Sequence, residues 1–345
     1  MIRSRNILTL SCAVLISLAA AHAQATVVID RVLVDDAGNA ADTNGRGAVG
    51  SDFYMGTYHV TNDQYVEFLN GVDPTGANTL GVYQTTQTSD AAGGIDYTPG
   101  NPNGTKYSSK TNFGNKPVNF VSWVDGMRFV NWLESGQGTT TETGTYTLLG
   151  GTAIPSNATT VTRNGSVTYF LPSVDEWYKA AYYKGGSLSA GYWDYPTQSD
   201  SVPTVATANS TGDVTNPTQG TVTYGGTDWA GGPDRPTSVG TAGSVTFYGV
   251  YDMGGNERNW TDTISGGSRF KVGTHFSGDD YNMNSSTGVL DTYGTGSEDA
   301  RFGLRVAAYT AAEAEAVPEP STFVLAGLGL FGLGFVALQR KFRRA

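Results

Sequence analysis

The stretch "YDMGGNERNWTD", Tyr251 to Asp262, packs two glycines, two aspartates, a glutamate and two asparagines between aromatic residues. Three readings compete for it. Carboxylates and amides around a glycine turn can hold a cation, line an active site, or form a polar turn that feeds a buried tryptophan. Asx side chains close such turns on their own backbone, so the last reading needs no ligand. The choice is settled by what the rest of the chain offers.

Both chain ends read as targeting segments. Arg3 and Arg5, the apolar stretch Ile7 to Ala20 and the small-x-small site Ala21-His22-Ala23 make residues 1–25 a secretory signal peptide. At the other end, residues 311–320 form a linker carrying Pro318-Glu319-Pro320. Residues 321–345 follow as an apolar run, Phe323 to Leu338, and a basic tail of Arg340, Lys341, Arg343 and Arg344. A run of that order can just cross a bilayer, with the basic tail left on the cytoplasmic side. Motif, apolar run and basic cluster in this order resemble the PEP-CTERM sorting signal. That resemblance implies transient membrane anchoring, cleavage near Val317-Pro318 by an exosortase-type enzyme, and release to the cell surface or matrix.

What lies between, residues 26–310, reads as one domain because no internal shift of composition divides it. The chain carries 21 Lys and Arg against 31 Asp and Glu, a net charge of -10, and six of the basic residues lie in the targeting ends. An acidic surface excludes nucleic-acid binding, which needs a basic face. The single cysteine, Cys12, lies inside the signal peptide. The remainder therefore has no disulfide, thiolate metal site or cysteine nucleophile. Only His59 and His275 lie outside the leader, which excludes a multi-histidine metal centre.

Three capped helices stand out. Thr61 with Gln64 opens one that carries Tyr65, Phe68 and Leu69. Ser122 opens a second with Trp123, Met127, Val130 and Leu133, and Ser173 with Glu176 opens a third before Trp177. Asp175 and Glu176 read as first-turn acids favoured by the helix dipole, not as a catalytic pair. Short alternating stretches at Val27–Val34, Asp52–Val60, Ser166–Pro172 and Arg301–Tyr309 read as strands, and Gly138–Thr152 as a polar hairpin burying Tyr146, Leu148 and Leu149. The fold class is α+β with long loops.

In this order, "YHVTNDQYVEFLN", "KPVNFVSWVDGMRFVNWLE", "FLPSVDEWYKAAYYKGG", "YGVYDMGGNERNWTD" and "FGLRVA" resemble the formylglycine-generating enzyme, or sulfatase-modifying factor, family. Within it they are most similar to exported PEP-CTERM members. The resemblance spans Val27 to Ala308 and implies a loop-rich, C-type-lectin-like fold stabilised by calcium. Its oxidase members use two cysteines and copper. The corresponding region, Phe276 to Gly296, has none, and Ser285 or Ser286 near that place cannot replace a thiolate as a soft ligand. No copper is expected, nor formylglycine formation.

The resemblance also implies calcium donors. At the opening stretch these are the Asp252 carboxylate, the Gly255 and Glu257 carbonyls and Asn259 in place of a glutamate, which implies a structural, weakly held Ca²⁺; Glu257 can alternatively reach the ion itself. A second set falls at Asn209, Ser210, Asp228 and Ala230. Arg305 reads as a partly buried arginine paired with an acid, His275 as structural, and Asp279-Asp280 as a turn or cation ligand. Three functions follow: a non-catalytic surface or matrix module that binds polysaccharide or protein, a carboxylate-based hydrolase, and a matrix protein without a discrete ligand.

Overall fold

A computed structural model describes residues 26–227, 229–287 and 289–309. The signal peptide, the linker and the apolar C-terminal run lie outside these residues. No helix among the described residues is long and apolar enough to cross a membrane. In chain order the elements are β1 (Arg31–Val34), β2 (Phe53–Gly56), α1 (Asn62–Val72), the single turn α2 (Thr86–Ser89), β3 (Ile95–Tyr97), β4 (Tyr107–Ser109), α3 (Trp123–Glu134), β5 (Tyr169–Phe170) and α4 (Val174–Tyr182). There follow β6 (Thr204–Val205), β7 (Thr221–Val222), β8 (Arg258–Ser265), β9 (Ser268–Val272), a 3-10 turn (Asp280–Met283), β10 (Leu290–Tyr293), β11 (Phe302–Gly303) and β12 (Ala307–Ala308).

All three expected helices form, each closed by a reciprocal capping box. Thr61 pairs with Gln64, Ser122 with Asp125 and Ser173 with Glu176. Each box satisfies two N–H groups that a helix start leaves without partners. Strand order β1-β2-β12-β5 makes one four-stranded sheet and β10-β9-β8-β11 a second, with two-stranded pairs β3-β4 and β6-β7 beside them. Within the second sheet β8 and β9 form an antiparallel hairpin, and β11 joins β8 in parallel, Phe302 beside Arg258 and Gly303 beside Asn259.

Two cores fill the space between these elements. Tyr65, Phe68 and Leu69 of α1 pack with Trp123, Met127 and Val130 of α3 and with Trp260 of β8. Val34, Phe53 and Met55 pack with Trp177 and Ala181 of α4 and Val272 of β9. The loop Tyr251–Glu257 enters β8 and so joins the second sheet directly to the site described below.

One expected element is absent. Gly138–Thr152 forms no hairpin, because side chains of α3 take up the backbone groups that a strand ladder would use. Asn131 Nδ2 donates to the Thr141 and Tyr146 carbonyls at 2.7 and 2.8 Å, and Asn131 Oδ1 accepts from Tyr146 N–H. Arg128 bonds Glu142 and the carbonyls of Leu80, Thr152 and Ala153. Tyr146 and Leu148 are buried as expected, whereas Leu149 is exposed.

Arg128 is the anchor of this loop: its side chain is fully buried and lies 2.7 Å from Glu142. Removing one partner of a buried ion pair costs about 3 kcal/mol or more. Arg128→Met is expected to lower the melting temperature and to expose residues 138–154 to limited proteolysis. An unchanged melting curve would show that the loop is held otherwise.

Candidate functional site

The opening loop is fixed by its backbone before any side chain acts. Asp252 and Asn256 take positive φ, +57° and +67°. At Gly255 an added Cβ would stand 2.4 Å from the Thr223 carbonyl, so only glycine fits. Asn256 is wholly buried and clasps Thr237, accepting from its N–H at 2.9 Å and donating to its carbonyl at 3.0 Å. Asn256 thus clamps a distant segment instead of closing an Asx turn, and Trp260, fully buried, donates its indole N–H to the Val121 carbonyl.

Each expected calcium donor in this loop has a hydrogen-bond partner. Asp252 Oδ2 accepts from Gly240 N–H at 2.6 Å. The Gly255 carbonyl accepts from Glu257 N–H at 2.9 Å. The Glu257 carbonyl lies 3.1 Å from His59 Nε2, and Asn259 Oδ1 accepts from the Trp177 indole at 3.0 Å and from Arg305 Nε at 3.4 Å. One further oxygen is free: Glu257 Oε2 is buried without a partner, while Oε1 meets Asn119 Nδ2 at 3.3 Å.

Arg305, wholly buried, ties these groups together. It donates to the carbonyls of Gly56 and Tyr251, each at 2.8 Å, and approaches His59 Nδ1 at 3.5 Å. Because Nδ1 faces a donor and Nε2 faces a carbonyl, His59 is neutral with its proton on Nε2. Burial, then Arg305, hold its pKa well below the ordinary value. Burial pushes the Asp252 carboxyl up to about 6 against the pull of Arg305, and lowers Arg305 to about 10 with Asp252 opposing. Arg305 is buried more fully than expected, and among the described residues it forms no ion pair with an acid, Asp252 acting on it only through its charge.

The described members of the second expected set lie near one another but are otherwise engaged or open to solvent. Asn209 Oδ1 closes an Asx turn, accepting from Thr211 N–H, Thr211 Oγ1 and Asp213 N–H. Ser210 is exposed, Ala230 donates its N–H to the Ala208 carbonyl, and Asp228 lies outside the described residues. Lys116 reaches the same turn, its Nζ donating to the Thr211 carbonyl at 2.9 Å and to Ser238 Oγ at 2.7 Å. The first donor set, as arranged, does not offer the six to eight free oxygens that calcium takes.

The remaining candidates have structural roles. Asp279 caps the 3-10 turn, accepting from Asn282. His275 contacts Ser277 Oγ at 3.2 Å, and burial holds its pKa down at about 3. The Ser285 carbonyl receives Asn44 and Tyr178, while Ser286 Oγ donates to Asn284, so the two serines serve different turns.

Two cavities went unread in the sequence. The first, about 300 Å³, opens beside the loop and is lined by Asp30, Tyr58, Thr61, Gln64, Asn115 and Val239. Tyr58 stacks on Tyr251 with ring centroids 5.4 Å apart. No local signal marks it, because its walls come from five separate segments. The second, about 380 Å³, has Asp125 and Glu298 at its floor with Gln84 beside them. Gln84 donates to Glu298 at 2.5 Å, and the Asp125 carboxyl close by disfavours a second negative charge there. Asp125 was legible only as a position in a capping box; nothing near Glu298 announces the pairing.

Burial, then Asp125, push Glu298 up to about 8. A carboxyl raised on folding contributes stability at low pH, in full below its ordinary value of 4.5, and loses it as pH rises through about 8. Glu298→Gln is therefore expected to remove part of the fall in melting temperature between about pH 5 and 8.5. Asp252 and Asp262, raised to about 6, titrate in both proteins and cancel in the comparison. Parallel wild-type and variant curves would contradict the raised Glu298 carboxyl.

Comparison with known proteins agrees with this architecture. Residues 22–309 match the model of the sulfatase-modifying factor enzyme 1-like domain, and residues 316–341 match the PEP-CTERM protein-sorting motif. The crystal structure of CarF is similar at 19% identity, covering 82% of this chain and 98% of its own, with a TM-score of 0.52. Treponema denticola variable protein 1 is 16% identical over 81% of this chain and 95% of its own, TM-score 0.46. PvdO from Pseudomonas aeruginosa is 14% identical over 82% and 94%, TM-score 0.40. No curated protein matches. At these identities the structural likeness concerns the fold alone. With most of the chain covered by the domain model, the protein belongs to the sulfatase-modifying factor family and carries a PEP-CTERM sorting motif.

Proposed function

We propose that the protein is a non-catalytic binding module of this family, exported and then displayed at the cell surface or in the matrix, where it binds polysaccharide. The sorting motif supports export and processing by an exosortase-type enzyme. The signal peptide and a transient anchor through residues 321–345 complete the proposed route. Loss of the family's redox chemistry follows from composition, since Cys12 is the only cysteine and no residue after it can bind copper as a thiolate.

The observation that carries the binding reading is the groove at Tyr58 and Tyr251. Stacked aromatic rings offer a rigid apolar face at low entropic cost, onto which the C–H face of a sugar ring packs. Asp30 and Asn115 are exposed on its rim, and among the described residues no hydrogen bond engages their side chains. Such a combination, an aromatic wall with a few convergent polar groups, is what small-ligand sites require. The half-buried Tyr58 ring is braced by Gly240, where a Cβ would stand 2.5 Å from it.

A second reading, a carboxylate-based hydrolase, is favoured by one observation: the Asp125–Glu298 pair at the floor of its own cavity. Polysaccharide affinity electrophoresis separates the two. Tyr58→Ala is expected to weaken retention about tenfold, roughly 1.4 kcal/mol, with Glu298→Gln retaining binding. Retention indifferent to Tyr58→Ala would overturn the groove, and glycan turnover abolished by Glu298→Gln would establish the hydrolase. Incubation with copper and a cysteine peptide is expected to yield no formylglycine; its formation would refute the cysteine argument.

A further inference from the structure

Each of the two loops that the sequence offers to a divalent ion is built around a positively charged side chain of the chain itself. We propose that Arg305 and Lys116 are the resident cations of these loops, so that the protein holds its fold without calcium.

At the first loop the oxygens converge on a guanidinium. Gly56 O, Tyr251 O and Asn259 Oδ1 receive its three nitrogens, and the Asp252 carboxylate supplies the balancing charge. The Glu257 carbonyl is closed by His59 and the Gly255 carbonyl by Glu257 N–H. A calcium ion bound at Asn259 would displace the Trp177 indole and lie against a buried guanidinium. Like charges at that distance in a low-dielectric interior repel strongly, and Asn259 has no carboxylate to offset them.

Beside the described part of the second loop an ammonium ties the neighbouring turn, touching Thr211 and Ser238 instead of the expected donors. The Lys116 side chain is 3% exposed, and its Nζ meets the Thr211 carbonyl, Ser238 Oγ and, at 3.9 Å, Asp213 Oδ1. It also lies 5.0 Å from the Trp229 ring. Gly212 packs directly on the lysine stem, where a Cβ would stand 2.7 Å from Cε. Ser238 in turn holds Asp213 below the usual carboxylate range, so the turn keeps its negative partner. A compact ammonium with three donors suits this three-oxygen cradle.

The oxygens left unpartnered near the first loop are Glu257 Oε2 and Asn119 Oδ1. Two side-chain oxygens fall short of a calcium shell, yet they mark where an ion would sit if the proposal failed.

Melting the purified protein in chelator and in about 10 mM calcium tests it. A site of the affinity typical of extracellular modules would multiply the folding constant about tenfold to hundredfold, a rise of about 3 °C or more. The expected shift is below about 1 °C on that scale. Lys116→Met is expected to melt lower in both buffers, and Lys116→Arg to recover most of the loss. Removing Arg305 can prevent folding altogether, so the decision rests on the wild type and the Lys116 variants. A calcium-dependent rise of about 3 °C or more in the wild type would overturn the proposal. Its disappearance in Glu257→Gln would then place the ion on Glu257. Unaltered melting of Lys116→Met would overturn the assignment of the second loop.

Discussion

Everything around the opening loop depends on the burial of one guanidinium. Arg305 has no access to water, and an unpaired charge in such a place costs several kcal/mol. The surrounding chain is arranged to prevent that. Two carbonyls, an asparagine oxygen and an aspartate are turned toward it from β2, from the Tyr251–Glu257 loop and from β8. The loop's positive-φ residues and the glycine beneath Thr223 follow from the same demand, because they point the Tyr251 carbonyl and the Asp252 carboxylate inward. The two core clusters meet across this tie, since Trp177 of one and Trp260 of the other flank Asn259.

The functional consequence is a scaffold whose polar interior is spent on holding loops. The family's oxidase chemistry would require soft ligands in the segment Phe276 to Gly296, and there the polar residues cap a short turn or receive tyrosines. Features left open to solvent include a groove beside Tyr58, whose ring stacks on Tyr251, and a cavity lined by Asp125 and Glu298. Both lie where separate loops converge, the usual place for binding on a rigid scaffold. The sorting motif supports export of the chain that carries these surfaces.

Legibility in the sequence tracked how local each signal is. Capping boxes are four-residue patterns, so the starts of α1, α3 and α4 could be read directly, with Thr61, Ser122 and Ser173 at their N-caps. The segment Gly138–Thr152 has the composition of a hairpin, but its backbone groups go to Asn131 and Arg128 on the helix just before it, which the residue pattern does not record. Asn259 likewise could be read as a weakened calcium ligand from its place in the motif. Its actual partner, the Trp177 indole, lies 82 residues away in sequence. Glu298 carries no signal at all, because its role exists only through the contact with Asp125 and Gln84.

The central claim is that the opening loop is organised by Arg305 and not by a metal. Long-wavelength anomalous diffraction from a crystal grown in calcium reads this directly. The account predicts no anomalous peak within coordination distance of Asp252, Glu257 or Asn259, with the Asn259 amide oxygen still bonded to Trp177 and Arg305. A peak there, ringed by oxygens at about 2.3–2.6 Å, would contradict it.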